Sequence, residues 1–280
     1  MKIIKNNSIN SLRELLPHPF HLVDPSPWPI ITGLTTFGTA VGNVLYFQGF
    51  LNGGSLVTYN LLFLTCLLAI WWRDIIRESS FGGFHTCEVV RGLRWGFALF
   101  IVSEVLFFFP FFWTLFYSFV YPSIDIYSSS SPNFVQFVDP FGLPLANTML
   151  LLHSGITITW AHKALIVGSL KETTLALGLT IVLGIIFLSF QAYEYSLAGF
   201  CLCDNVYTSI FYITTGLHGF HVLIGTLFLT VCFVRLRNLH FTKEHHLGLK
   251  AAIWYWHFVD VVWLFVYLCI YVWIYRGAYL

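Results

Sequence analysis

Four places in the chain put ionisable side chains where the neighbours are almost wholly apolar. Glu104 lies in SEVLFFFPFFW, among phenylalanines. His218 and His221 stand three apart in GLHGFHVLIG, and His257 and Asp260 three apart in WYWHFVDVVWL. On a helix each pair shares a face. Glu194 closes a long apolar run in SFQAYEYSL. Ionisable groups in such surroundings are costly and by default suggest function. Carboxyls and imidazoles of this kind can relay protons or ligate. Equally, they can form the hydrogen bonds that fix one helix against another. Burial among phenylalanines favours Glu104 as the neutral acid unless a cation is near.

A second cluster is basic and aromatic. HFTKEHH at 240–246 supplies His240, Thr242 and His245, and His18, His21, His85 and His162 lie in similar polar stretches. Neutral imidazole is the commonest metal ligand. The nearest metal-binding comparison, the membrane di-iron oxygenases and desaturases, carries several H-x-x-x-H and H-x-x-H-H boxes. Here H-x-x-x-x-H-H occurs once, and His85 and His162 lack partners at helical spacing. The alternative is a lipid headgroup site, since Arg, Lys, His and Trp at an interface clasp phosphate oxygens. WWRDIIRES fits that alternative with Trp71, Trp72, Arg73, Arg77 and Glu78. Paired tryptophans anchor at an interface, and arginine offers a forked phosphate contact. An ordinary aromatic belt with flanking arginines would look the same.

What must position these residues follows from composition. Of 280 residues, 57% are hydrophobic, 19% aromatic and 10% charged, and the mean hydropathy is +0.76. A soluble domain carries about 25% charged residues, so lipid must be the solvent for most of this chain. The net charge of +1 excludes a general basic attraction to nucleic acid. The six cysteines lack the repeated pairs of a disulfide or zinc framework, and are expected to be small buried hydrophobes. A membrane-spanning helix needs roughly 20 mostly apolar residues. Seven stretches qualify, at about 30–50, 55–72, 95–120, 143–167, 172–193, 206–234 and 250–275. The expected fold is all-α, a polytopic bundle of seven transmembrane helices. Gly33, Gly38, Gly42 and Asn43 dilute the first helix, and Pro110 falls inside the third. Proline leaves the carbonyl of Leu106 without its helical donor, so a local kink is expected there.

Charge placement supports the helix number. With the N-terminus inside, thirteen of the fourteen Lys and Arg fall on the inner side, from Lys2, Lys5 and Arg13 through to Lys243 and Lys250; Arg276 is the exception. The outer loops carry Asp125, Asp139 and Asp204. This is the positive-inside pattern, and a miscount by one helix would scramble it. The chain shows no internal repeat, which argues against an inverted-repeat transporter. The polar opening MKIIKNNSINSLRELLPHPF does not read as a signal peptide or typical transit peptide, so the mature protein is expected to start near Met1.

Six segments in register carry a family resemblance: HLVDPSPWP, WWRDIIRES, GLRWGFALFIVSEVLFFFPFFW, NTMLLLHSGITITWAH, GLHGFHVLIGTLFL and AAIWYWHFVDVVWLFVYLCIYVW. Together they resemble subunit III of haem–copper oxidases of the cytochrome c type, across nearly the whole chain. The resemblance implies two helices and then five, around a V-shaped cleft filled with phospholipid. In those terms 1–29 is an inner-side N-terminal segment, 30–72 the first two helices, 73–94 an inner loop and 95–280 the five-helix bundle. It implies a non-redox core subunit that stabilises subunit I, supports proton uptake and binds phospholipids. No metal or haem is expected in this chain; haem and copper belong to partner subunits I and II, with accessory subunits around them. By resemblance Glu104 is the family's reactive buried carboxylate. Trp72, Arg77, Glu78, His85, Arg235, His240, Thr242 and His245 match its lipid-headgroup contacts, and His218, His221, His257 and Asp260 form an intramembrane polar network. The mitochondrial inner membrane is the implied location, with the N-terminus in the matrix; a bacterial plasma membrane is the alternative. Lys163 and Lys250 replace the usual histidine and glutamate, and Ser128–Ser131 occupy an outer loop of different usual sequence.

Overall fold

The computed structural model describes residues 18–120 and 137–279. Lys2, Lys5, Arg13, Asp125 and the serine run Ser128–Ser131 lie outside them. All regular structure among the described residues is helical: α1 Trp28–Phe47, α2 Gly53–Arg77, α3 Cys87–Val120, α4 Leu143–Val167, α5 Leu170–Leu197, α6 Val206–Arg237, α7 Leu247–Val266 and α8 Ile274–Tyr279. A π-helical turn, Glu78–Gly82, extends α2, and another, Tyr267–Trp273, joins α7 to α8. Seven of these helical stretches are long and apolar enough to cross a membrane, as the sequence predicts. Two compact units divide the chain, one ending at Leu93 and the other beginning at Arg94.

In the first unit α1 packs along α2. The glycines that dilute α1 are what allow this. A Cβ on Gly42 would lie 3.1 Å from the backbone nitrogen of Val57, and one on Gly38 would lie 2.8 Å from Asn60 Oδ1. Small residues four apart let two membrane helices approach closely. At the turn Asn52 takes φ 70°, and a Cβ on Gly53 would fall 2.5 Å from the nitrogen of Tyr46. At the other end Trp28 Nε1 donates to Asp74 Oδ2 at 2.9 Å, and Asp74 also pairs with Arg73 at 2.9 Å.

In the second unit α4, α5, α6 and α7 close a ring, each packed on the next and α7 returning to α4. The helix reaching from Leu247 to Arg276 is the most buried of the seven. Two of its tryptophans, seven residues apart, bond back to α4: Trp256 Nε1 donates to Ser154 Oγ at 2.8 Å, and Trp263 Nε1 to Thr148 Oγ1 at 2.9 Å. Gly184 and Gly225 make the space for Trp256, since Cβ atoms there would stand 2.7 Å and 3.0 Å from its ring. Aromatic contacts attach α3: Phe108 meets Phe258, Phe112 meets Phe265, and Phe116 meets Trp273. The helix passes through Pro110 without interruption, and Thr114 Oγ1 donates to the Pro110 carbonyl at 2.8 Å.

Two expectations differ from the structure. The stretch 73–94, read as a loop from its charges, is largely helical, with regular structure absent only over 83–86. A helix need not end where its apolar run ends, whereas apolar length registers only the hydrocarbon-spanning part. The cysteines are all free, but Cys232 alone is buried, while Cys66, Cys87, Cys201 and Cys203 are exposed. Cys201 and Cys203 lie between α5 and α6 and Cys87 opens α3; only Cys66 shows that apolar neighbours do not imply burial, since an exposed thiol on an outward helix face costs little.

Candidate functional site

The structure brings Glu104 to His221. Glu104 Oε2 lies 2.8 Å from His221 Nε2, across 117 residues of sequence. The ring's other nitrogen, Nδ1, lies 2.8 Å from the carbonyl of Leu217. A carbonyl only accepts, so Nδ1 carries a proton. The short Oε2–Nε2 contact then requires one further proton between them. It sits either on a carboxylic acid that donates to neutral imidazole, or on an imidazolium that donates to carboxylate. Without it, two lone pairs would face each other at 2.8 Å. Phe108, Tyr255 and Phe258 enclose the imidazole, with ring centroids 5.2, 6.3 and 6.0 Å away. The pair is therefore a proton-holding unit in an aromatic cage, and the Glu104 side chain is 24% exposed at its rim.

His218, one turn earlier on α6, does something else. It is fully buried and its Nε2 donates to the Val259 carbonyl of α7 at 3.2 Å. The two histidines share the helix's inner side and divide its work. One ties α6 to α7; the other meets the carboxyl of α3. His257 and Asp260 lie on the α4 side of α7, with Nδ1 and Oδ2 3.7 Å apart, too far for a hydrogen bond. His257 Nε2 is 3.4 Å from Thr159 Oγ1.

Glu194 is 3% exposed. Its Oε1 accepts from Tyr271 Oη at 2.6 Å and from Gln191 Nε2 at 3.4 Å. Asn147 Nδ2 donates in turn to Gln191 Oε1 at 3.5 Å. Sequence reasoning missed Tyr271, Gln191 and Asn147. The three-residue spacing from Gln191 to Glu194 was available as a signal; nothing in the sequence pointed to the other two.

The expected lipid contacts divide between the units. Trp72, Arg77, Glu78 and His85 belong to the first. Trp72 is exposed, and Glu78 opens the π turn that ends α2. Arg235, His240, Thr242 and His245 belong to the second. Arg235 lies over the Phe241 ring at 4.5 Å, against Gly248, whose added Cβ would come 2.7 Å from Nη1. Thr242 and His245 build one tight turn: the Thr242 amide donates to the His245 carbonyl at 3.2 Å, and the His245 amide to Thr242 Oγ1 at 3.0 Å. Lys243 Nζ donates to the Val167 carbonyl at 2.8 Å and so caps α4, where a cation is favoured. The turn brings His246 beside His162, ring centroids 5.5 Å apart. Among the described residues no three His, Cys, Asp or Glu are grouped closely enough to hold a metal ion.

Fold and site define a seven-helix membrane bundle that carries a caged carboxyl–imidazole pair and a basic, aromatic end. Comparison with known proteins makes the class specific: the chain belongs to the cytochrome c oxidase subunit III family, which matches residues 18–275. It is 50% identical over 256 residues to cytochrome c oxidase subunit 3 of Chondrus crispus, covering 91% of this chain and 94% of that one. To the subunit 3 proteins of Prototheca wickerhamii and Arabidopsis thaliana it is 49% identical over the same length, covering 98% and 97% of them. The chain is thus a subunit of an oxidoreductase, the respiratory oxidase complex, and works in company with other subunits.

Proposed function

We propose that this chain is the non-redox core subunit of the oxidase in the mitochondrial inner membrane, with its N-terminus in the matrix. In this role it stabilises subunit I, supports proton uptake and binds phospholipids, while haem and copper reside in subunits I and II. The Glu104–His221 pair carries the proposal. A carboxyl that shares a proton with an imidazole, at the edge of an aromatic cage, is suited to hold a proton at membrane depth and pass it on. Arg235 supports the lipid role. Its Nε is buried and has no protein partner, and a phosphate oxygen is its natural acceptor.

Glu104→Gln in the assembled oxidase tests the proton role. The amide can still donate to His221 Nε2, but it has no proton to release. The subunit is expected to stay in the complex while proton uptake during sustained turnover slows. Unchanged uptake would remove Glu104 from the proton route, and loss of the complex would give its carboxylate a structural partner instead. For the lipid role, Arg235→Ala combined with His240→Ala is expected to deplete tightly bound phospholipid and shorten the enzyme's working life. An unchanged lipid content by mass spectrometry would sink that role.

A further inference from the structure

The loop between α5 and α6 presents two thiols that the bundle's packing does not use. Cys201 and Cys203 are both free and exposed, with Leu202 alone between them. They sit on a tight turn. The Asp204 amide donates to the Cys201 carbonyl at 3.2 Å, and the Cys201 amide donates to Asp204 Oδ2 at 2.6 Å. Two further bonds tie the turn to α6. Tyr212 Oη donates to the carbonyl of the buried Phe200 at 2.8 Å, and Ser209 Oγ to the Leu202 carbonyl at 2.6 Å. The backbone before, at and between the two cysteines is thus fixed, while their side chains stay on the surface.

Cα atoms two residues apart are separated by roughly 7 Å at most, and a turn brings them nearer. A metal–thiolate bond is about 2.3 Å long, so two sulfurs on one ion need stand no further apart than about twice that. Thiolate is a soft donor and selects thiophilic ions. The number of donors narrows the choice. A structural zinc takes four ligands, yet among the described residues no three His, Cys, Asp or Glu are grouped to hold a metal ion. Asp204 already commits one carboxylate oxygen to the Cys201 amide. Cu(I), a filled-shell ion, is satisfied by two thiolates in line. The loop 198–205 contains Asp204 and no Lys or Arg, so it holds no fixed cation to repel one. Because the turn is held before an ion arrives, little ordering is left to oppose binding.

We propose that Cys201 and Cys203 form a two-thiolate site for a thiophilic monovalent cation, Cu(I). Both thiols release their protons to water as the two metal–sulfur bonds form, and no electron is transferred. The site is separate from the haem and copper of subunits I and II, and it rests on neither the proton nor the lipid role of this chain.

The assembled oxidase, kept reduced with ascorbate under argon and given Cu(I) as its acetonitrile complex, tests it. After desalting, copper is counted against haem iron by mass spectrometry. The parent is expected to keep one copper per complex more than the Cys201→Ser/Cys203→Ser form, and each single serine variant is expected to lose that copper too. A second measurement needs no variant. In the parent, the bound ion should protect Cys201 and Cys203 from N-ethylmaleimide, while Cys87, exposed and solitary, still reacts. Equal copper in the parent and the double variant would overturn the proposal, as would an extra copper that survives in either single variant. Labelling of both thiols at an unchanged rate with Cu(I) present, or a Cys201–Cys203 disulfide that persists under these conditions, would overturn it as well.

Discussion

Glu194 and Glu104 are both glutamates inside membrane-spanning helices, and the bundle treats them differently. Glu194 lies in the core, where Oε1 takes donors from α7's π-helical extension and from its own helix. Glu104 sits on α3, which side chains attach at the bundle's flank, and it meets one imidazole with a quarter of its surface still open. The first arrangement has two donors converging on one oxygen and joins helices. The second has one proton between two bases that either can hold. Burial alone does not make an intramembrane carboxyl functional; the count and kind of its partners separate a tie from a proton-sharing pair.

Removal of the Glu194 carboxyl should produce the largest effect. Glu194→Ala strands the Tyr271 hydroxyl and the Gln191 amide in the core and leaves a void, together worth about 2–3 kcal/mol. The measurable outcome is a marked fall in the amount of this subunit in membranes, with oxidase falling in proportion. A full complement of subunit would break the comparison, because Glu194 would then not be a tie. Tyr271→Phe comes next. It removes the 2.6 Å donor but leaves Gln191, so a loss of about 1 kcal/mol is expected, read as a modestly lower midpoint in detergent denaturation of the complex.

The two carboxyls were unequally legible in the sequence. Both stood out as ionisable groups in apolar runs, and seven helices followed from apolar length and from basic residues gathered on one side. Helix length fixes how far each residue lies along its helix, so the depth of Glu104 and of Asp260 could be read. What the sequence withheld was rotation and partner. His218 and His221 share a face by spacing, yet one bonds to α7 and the other to α3, because helix packing decides which neighbour lies opposite each ring. Glycines in α1 diluted its apolar signal for the same reason that they suit the structure: they give up side chain so that α2 can come close. The Asn147–Gln191–Glu194–Tyr271 chain draws on three helices, and no local pattern couples them.

Substitution of Glu104 should produce the smallest structural effect, and it sharpens the comparison most. Interhelical hydrogen bonds in membranes average about 0.6 kcal/mol, because the separated helices find other partners. Glu104→Leu deletes one such bond at a site already partly exposed, so subunit abundance should stay near the parent. Glu104→Gln keeps a donor for His221 and should change abundance even less, while both substitutions remove the proton that the pair shares. Infrared difference spectra of the oxidase then separate the two forms of the pair. If Glu104 is the acid, a protonated-carboxyl band disappears in Glu104→Gln. If the pair is carboxylate and imidazolium, a carboxylate band disappears instead, and the proton rests on His221. Should Glu104→Leu cost as much subunit as Glu194→Ala, the distinction between tie and proton-sharing pair fails, and Glu104 joins Glu194 as a structural residue.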